Sequence, residues 1–238
     1  MKFLILMIAF TFIQPPQDVL TTDRPRHDSW NVLLQEYVLN NGDVKYKQFK
    51  NQEAELKKYI AYLGKFTPSD SWSQHEKLAY YINLYNAGTI ALILENYPLE
   101  SIKDINRPWG KKRLRIGKDS ISLGDLEHKI LRKMNEPRIH FAINCASYSC
   151  PKLLNEAYTP AKMEKQLKAV TVNFINDSSK NKITANRLEL SAIFKWYKGD
   201  FMEKRSLITY LQPYTKVTLM NDAKITYLPY DWRLNEEK

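Results

Sequence analysis

Residues 73–94 constrain this fold more than any other stretch. Ser73-Gln-His-Glu76 is a capping-box pattern, in which the Ser hydroxyl and the Glu carboxylate each satisfy an orphan backbone N–H. Behind it runs Lys77-Leu-Ala-Tyr-Tyr-Ile-Asn-Leu-Tyr-Asn-Ala-Gly-Thr-Ile-Ala-Leu-Ile-Leu94, apolar on nearly every face. That pattern predicts a helix at the centre of the molecule, closed off by Pro98. Such a helix must be wrapped by other elements. The 238 residues, 44% hydrophobic and 12% aromatic, are enough to do so. The same composition excludes a disordered or collagen-like chain. With 7 Gly and 11 Pro, a Gly-rich phosphate loop and long flexible linkers are not expected either, and no cofactor is read.

Around that helix the spacing predicts an α+β fold. Helices are expected over Asp28 to Leu39 and Gln48 to Phe66. Ser122-Leu-Gly-Asp125 is a second N-terminal box, opening a helix to about Asn135. Pro137 breaks it, and Arg138 to Asn144 alternates like a strand. Thr159-Pro160 starts a helix to about Asp177. Lys182 to Thr184 and Arg187 to Leu190 read as a hairpin. Ser191 caps a short helix, Ser206 to Leu211 is helical, and Lys216 to Leu219 and Lys224 to Leu228 read as closing strands. The expected architecture is a single domain over residues 25–238. It has a helical N-terminal half, a buried central helix, and a small, mainly antiparallel sheet from the C-terminal half.

Met1-Lys2 is followed by an apolar run from Phe3 to Ile13 and then by Gln14-Pro15-Pro16-Gln17-Asp18. A cationic start, about a dozen apolar residues and a polar break read as a secretory signal peptide over residues 1–17. The run is shorter than the roughly 20 residues of a spanning helix. No transmembrane helix is expected in the mature chain, which is read as secreted or periplasmic. Lys and Arg number 36 against 26 Asp and Glu, a net charge of +10. The densest basic stretch, Lys111-Lys112-Arg113-Leu114-Arg115, reads as an exposed strand. It is either a solvated edge or a face for an anionic polymer. Export and the lack of a recognisable motif speak against nucleic acid.

Two clusters carry chemistry. Glu76, Tyr80, Asn83 and Asn86 fall on one stripe of the central helix, at spacings of four, three and three. An unpaired buried amide costs about 1–3 kcal/mol, so Asn83 and Asn86 either tie down backbone or line a polar pocket. The second cluster is Asn144-Cys145-Ala-Ser147-Tyr-Ser149-Cys150-Pro151. Cys145 is a candidate nucleophile if a base and a positive environment lower its pKa. Alternatively, Cys145 and Cys150, the only two cysteines, are bonded to each other. His140 and His128 compete as base. Neither His-Glu-x-x-His nor Cys-x-x-Cys spacing occurs, so no metal site is expected.

These stretches resemble the domain of unknown function 547 family. The blocks are Trp72 with Glu76, Tyr81 to Ala87, Leu94 to Ile102, Ile121 to His128, Pro137 to Pro151, Ser191 to Tyr197 with Asp200-Phe201, and Tyr227 to Asn235. They cover nearly the whole mature chain. Tyr81 stands where the family usually carries Trp. The resemblance implies a fold and no established activity. It does gather Glu76, Asn83, Asn86, His128, Arg132, Arg138, His140, Asn144, Cys145 and Ser147 inside the family's motifs. A Glu–His–Cys set is similar to that of papain-like and transglutaminase-like thiol enzymes, in a different chain order.

Two functions follow. The first is a cysteine-dependent hydrolase or acyltransferase acting on an amide or ester of unknown identity, in a peptide or a cell-envelope polymer. Cys145 would be the nucleophile, His140 or His128 the base, and Glu76 or Asn83 the orienting group. Asn144 or Ser147, with backbone N–H groups, would hold the oxyanion. The second is a non-enzymatic exported binding module, with the polar cluster as its pocket and the basic strand as its docking face.

Overall fold

The protein is described by a computed structural model over residues 24–203 and 205–238. The expected signal peptide lies outside the described residues. The N-terminal half is helical: α1 (Asp28–Tyr37), α2 (Tyr46–Phe49), α3 (Glu53–Leu63) and α4 (Gln74–Asn96). At its start, Ser73 N–H donates to Glu76 Oε2 at 2.7 Å and Glu76 N–H to Ser73 Oγ at 3.2 Å, the two bonds of the capping box. Sixteen residues of α4 between Leu78 and Leu94 are buried, so the helix is the spine of the core. Trp30 of α1 stacks on Tyr59 of α3 with ring centroids 5.8 Å apart.

Two small sheets accompany the helices. Strands β1 (Lys112–Ile116) and β2 (Asp119–Ser122) form an antiparallel hairpin. The helix α5 (Leu123–Asp125) follows, with Ser122 Oγ accepting from Asp125 N–H as its cap. The hairpin lies against α4 because Gly88 has no side chain: a Cβ there would come within 2.9 Å of Leu114 Cδ2. Further on come α6 (Met163–Ile175), β3 (Lys182–Ile183), β4 (Arg187–Leu190), α7 (Ile193–Trp196), α8 (Lys198–Phe201), α9 (Leu207–Leu211) and β5 (Lys224–Tyr227). The predicted hairpin is the antiparallel β3–β4 pair, and β5 lies parallel to β4. The helices α7 to α9 form the crossover that a parallel pair requires. The fold is thus α+β, as expected, with its sheet content split in two and one pair parallel.

The chain departs from the sequence reading in four places, each for a local reason. Arg138 to Asn144 is not a strand. Pro137–Phe141 is a 3₁₀ helix with Pro at its first turn and the Glu136 side chain accepting from Arg138 N–H. The helix expected from Ser122 to Asn135 breaks into α5, a π-helical turn Leu126–Ile130 and a 3₁₀ turn Leu131–Met134. The helix expected over Gln48 to Phe66 is interrupted by a 3₁₀ turn Lys50–Gln52. Lys216 to Leu219 is not a strand, because the Gln212 side chain takes up the backbone there, bonding Val217 O and Leu219 N–H.

Candidate functional site

The loop carrying Cys145 is built by side chains that complete backbone bonds. Asn86 on α4 accepts Asn144 N–H at 2.9 Å and donates to Ala142 O at 3.0 Å. Asn144 in turn accepts Ala146 N–H at 2.8 Å, an Asx turn, and donates to Pro151 O at 2.8 Å. Inside that turn Ala146 is left-handed, with φ +58°. Such a conformation is strained for a residue with a Cβ and persists only where its surroundings impose it. The C-terminal segment runs alongside: Tyr148 N–H donates to Arg233 O and Ser149 N–H to Asp231 O. It brings Tyr230 and Trp232 to the loop.

Cys145 is part-buried and a free thiol, as is the buried Cys150. Its Sγ lies 3.1 Å from Cys150 Sγ, 3.1 Å from Ser147 Oγ and 3.2 Å from the Tyr230 hydroxyl. The Cys150 thiol contributes most to stabilising a Cys145 thiolate. Burial opposes it, and Ser147 and Tyr230 add to it, so that the thiol is pulled down to about 7. Burial pushes Cys150 the other way, well above the usual thiol range. The pair is therefore asymmetric, with one thiol acidic and one held protonated.

Cys145 opens on a cavity of about 310 Å³ that His128, His140 and Glu127 also line. His140 is buried, and its Nε2 lies 2.8 Å from Asp200 Oδ2. Arg132 clamps that carboxylate on both oxygens, at 2.7 Å each. Burial works against ionised Asp200. The Arg132 guanidinium and the His140 imidazole outweigh it and hold the carboxyl well below its ordinary range. Tyr197 stacks on the His140 ring at 3.9 Å. With Nε2–H donated to a carboxylate, the neutral ring keeps Nδ1 as its bare, basic nitrogen. His128 is half-exposed on the π-helical turn, its Nδ1 3.3 Å from Arg132 Nη1. Glu127, beside it, accepts from Tyr85 at 3.0 Å and from Tyr197 at 2.5 Å. Cys145 Sγ is hydrogen-bonded to neither imidazole among the described residues.

The remaining candidates hold structure. Glu76 completes the α4 cap and pairs with Arg24 at 2.8 Å, and it does not line the cavity. Asn83 is bonded twice to the Tyr158 backbone, at 2.8 and 3.0 Å. Arg138 is shared between Glu136 and Glu164. The orienting carboxylate of His140 is therefore Asp200, not Glu76 or Asn83. Nor do Asn144 and the loop amides stand ready for an oxyanion. The Asn144 side chain serves Pro151 and Ala146, and Cys145 N–H donates to Cys150 Sγ at 3.0 Å. Asp200, Tyr197, Tyr230 and Glu127 escaped the motif reading. Their one sequence signal was position inside the aromatic-rich blocks around Ser191–Phe201 and Tyr227–Asn235, and beside His128. Among the described residues no group of three or more His, Cys, Asp or Glu is arranged to hold a metal ion, and no helix is long and apolar enough to cross a membrane.

Fold and site together define an α+β domain with an acidic thiol at the mouth of an aromatic cavity. Residues 69–175 match the family model described as "Protein of unknown function, DUF547". The match includes Cys145, His128 and His140. Asp200, Tyr230 and Trp232 lie beyond it. No curated protein and no solved structure matches the chain.

Proposed function

We propose that the chain is an exported, cysteine-dependent hydrolase or acyltransferase acting on an amide or ester, with Cys145 as nucleophile. One observation carries the reading: a thiol drawn down to about 7 sits at a cavity shared with a carboxylate-oriented imidazole. Near neutral pH about half of such a thiol is thiolate, the form that attacks a carbonyl.

In this scheme the Cys145 thiol gives its proton to the bare Nδ1 of His140, the thiolate adds to the carbonyl carbon, and the carbonyl π electrons move onto oxygen. The Tyr230 hydroxyl proton, which serves the thiolate in the resting state, is then free to serve the oxyanion. Collapse expels the amine or alcohol, which takes a proton from His140, and leaves a thioester on Cys145. His140 then removes a proton from the incoming water or acceptor, and the thiolate returns. Asp200 holds the imidazole in the tautomer that leaves Nδ1 free, and Arg132 holds Asp200. Export belongs to the same proposal and rests on residues 1–17. N-terminal sequencing of the mature protein should find a cut near residues 15–22.

The test is acylation by p-nitrophenyl acetate. A burst of one p-nitrophenolate per chain is expected, with an acetyl group on Cys145 by peptide mass spectrometry. Cys145→Ala should abolish the burst. His140→Ala should slow deacylation by about a hundredfold or more. An equal loss in His128→Ala alone would move the base to that residue. No adduct on Cys145 would overturn the catalytic reading and leave a binding module.

A further inference from the structure

We propose that the cavity beside Cys145 seats an uncharged, apolar acyl group against a wall of tryptophans; the inference rests on the thiol reading above. Three of the chain's five tryptophans, Trp109, Trp196 and Trp232, line this one cavity together with Tyr230. Tyr230 lies 4.7 Å from Trp196 and 4.6 Å from Trp232 between ring centroids, and Trp232 is 5.8 Å from Trp109. The wall begins at the nucleophile, because the Tyr230 ring carries the hydroxyl that bonds Cys145 Sγ. Trp196 stays 48% exposed. Concentrated aromatic surface left open to water marks a place where an apolar partner is bound.

The polar inventory of the cavity decides which partner. No Asn, Gln, Asp, Arg, Lys, Ser or Thr among the described residues lines it. Its one carboxylate, Glu127, already accepts a tyrosine hydroxyl on each oxygen. A sugar stacked on the tryptophans would bring neighbouring hydroxyls that need amide, carboxylate or guanidinium partners. It would lose water there without replacement. A cationic acyl group would find only Glu127, already bonded twice, and an anionic one would find no Lys or Arg in the lining, where the two imidazoles belong to the catalytic scheme. An alkyl or aryl chain gives up no polar contact on entering. About 310 Å³ is near the lower end for small-molecule sites, room for one chain or ring system and not for a length of polymer. The acyl half of the substrate is therefore lipid-like or aryl, and the polar half is the leaving group.

Binding and turnover test this separately. Cys145→Ala, which cannot form a thioester, is titrated with decanamide and, in parallel, with an N-acetylglucosamine trimer, following tryptophan fluorescence. Saturable binding of decanamide at least tenfold tighter than the trimer is expected. Trp196→Ala, whose side chain is half exposed, should weaken it about tenfold. In the wild-type chain, kcat/KM for p-nitrophenyl esters should rise about fourfold per methylene from acetate to hexanoate. Tighter binding of the trimer, no binding of decanamide, or a flat chain-length series would each overturn the acyl seat. Adduct formation without chain preference leaves the thiol reading standing. Decanamide binding without any adduct in the wild type leaves the seat and removes the chemistry.

Discussion

At the scale of single residues, the charge on Cys145 is favoured first by its neighbour Cys150 and further by Tyr230, 85 positions along the chain. Its hydroxyl accepts from Ser147 at 2.9 Å and turns its own proton to the sulfur at 3.2 Å. Removing it deletes a hydrogen bond to a charged group, worth about 1.5–3 kcal/mol, or roughly one to two pH units. In Tyr230→Phe the midpoint of the Cys145 alkylation rate with iodoacetamide should move up by at least about one pH unit from about 7. An unmoved midpoint would mean that Cys150 and Ser147 alone acidify the thiol. Cys150, held protonated, should alkylate more slowly throughout. The sequence exposed Cys145 as a candidate through its small-residue turn and its neighbours. Nothing in it could announce Tyr230, because the contact is made by a tertiary meeting of two loops.

At the scale of elements, α4 does two jobs with one pattern. Its apolar faces make the core, and its two buried amides splice loops onto it. Asn83 carries the segment at Tyr158, and Asn86 carries the Cys145 loop. Asn83→Ala would leave Tyr158 N–H and C=O buried without partners, a cost of about 2–4 kcal/mol. Urea unfolding should show that loss, while the alkylation midpoint of Cys145 stays at about 7, since Asn83 does not touch the thiol. Loss of stability below about 1 kcal/mol would mean that water replaces the amide. The sequence showed that these amides needed partners, and burial made the structural reading the simpler one. The 3₁₀ turn at Pro137 and the π-helical turn at His128 were illegible, because alternation and helical period describe regular elements and these are irregular ones. Both irregular turns carry a histidine to the cavity.

At the scale of the whole molecule, pH reaches the fold through a residue far from the thiol in sequence. His27 is buried at the start of α1, with Nδ1 2.7 Å from the Tyr59 hydroxyl. Burial lowers its pKa from 6.5 to about 4, against a smaller opposing pull from Asp28. Between those values the unfolded chain binds a proton that the folded chain refuses, so stability falls as pH drops through that window. The shift is worth roughly 3 kcal/mol when complete. Chemical denaturation at pH 7 and pH 4.5 should differ by most of that amount, and His27→Gln should flatten the difference. Asp200, held low by Arg132 and His140, adds its own loss only further down, as pH falls through the ordinary carboxylate range and below. An equal pH response in His27→Gln would place the sensitivity elsewhere.

Local physics decided much of this protein in the sequence itself. The capping box, the all-round apolar helix, the β3–β4 hairpin and the cap at Ser122 each depend on residues within a few positions of one another. They read correctly for that reason. The pairing of β5 with β4, the clamp of Arg132 on Asp200, the seating of His140 beside Tyr197 and the arrival of Tyr230 and Trp232 at Cys145 span tens of residues. Each depends on how the chain closes around α4, where burial strengthens hydrogen bonds and charge pairing and makes their partners specific. The nucleophile candidate was therefore legible in one dimension, and its acidity, its orienting carboxylate and its aromatic cavity came only from three.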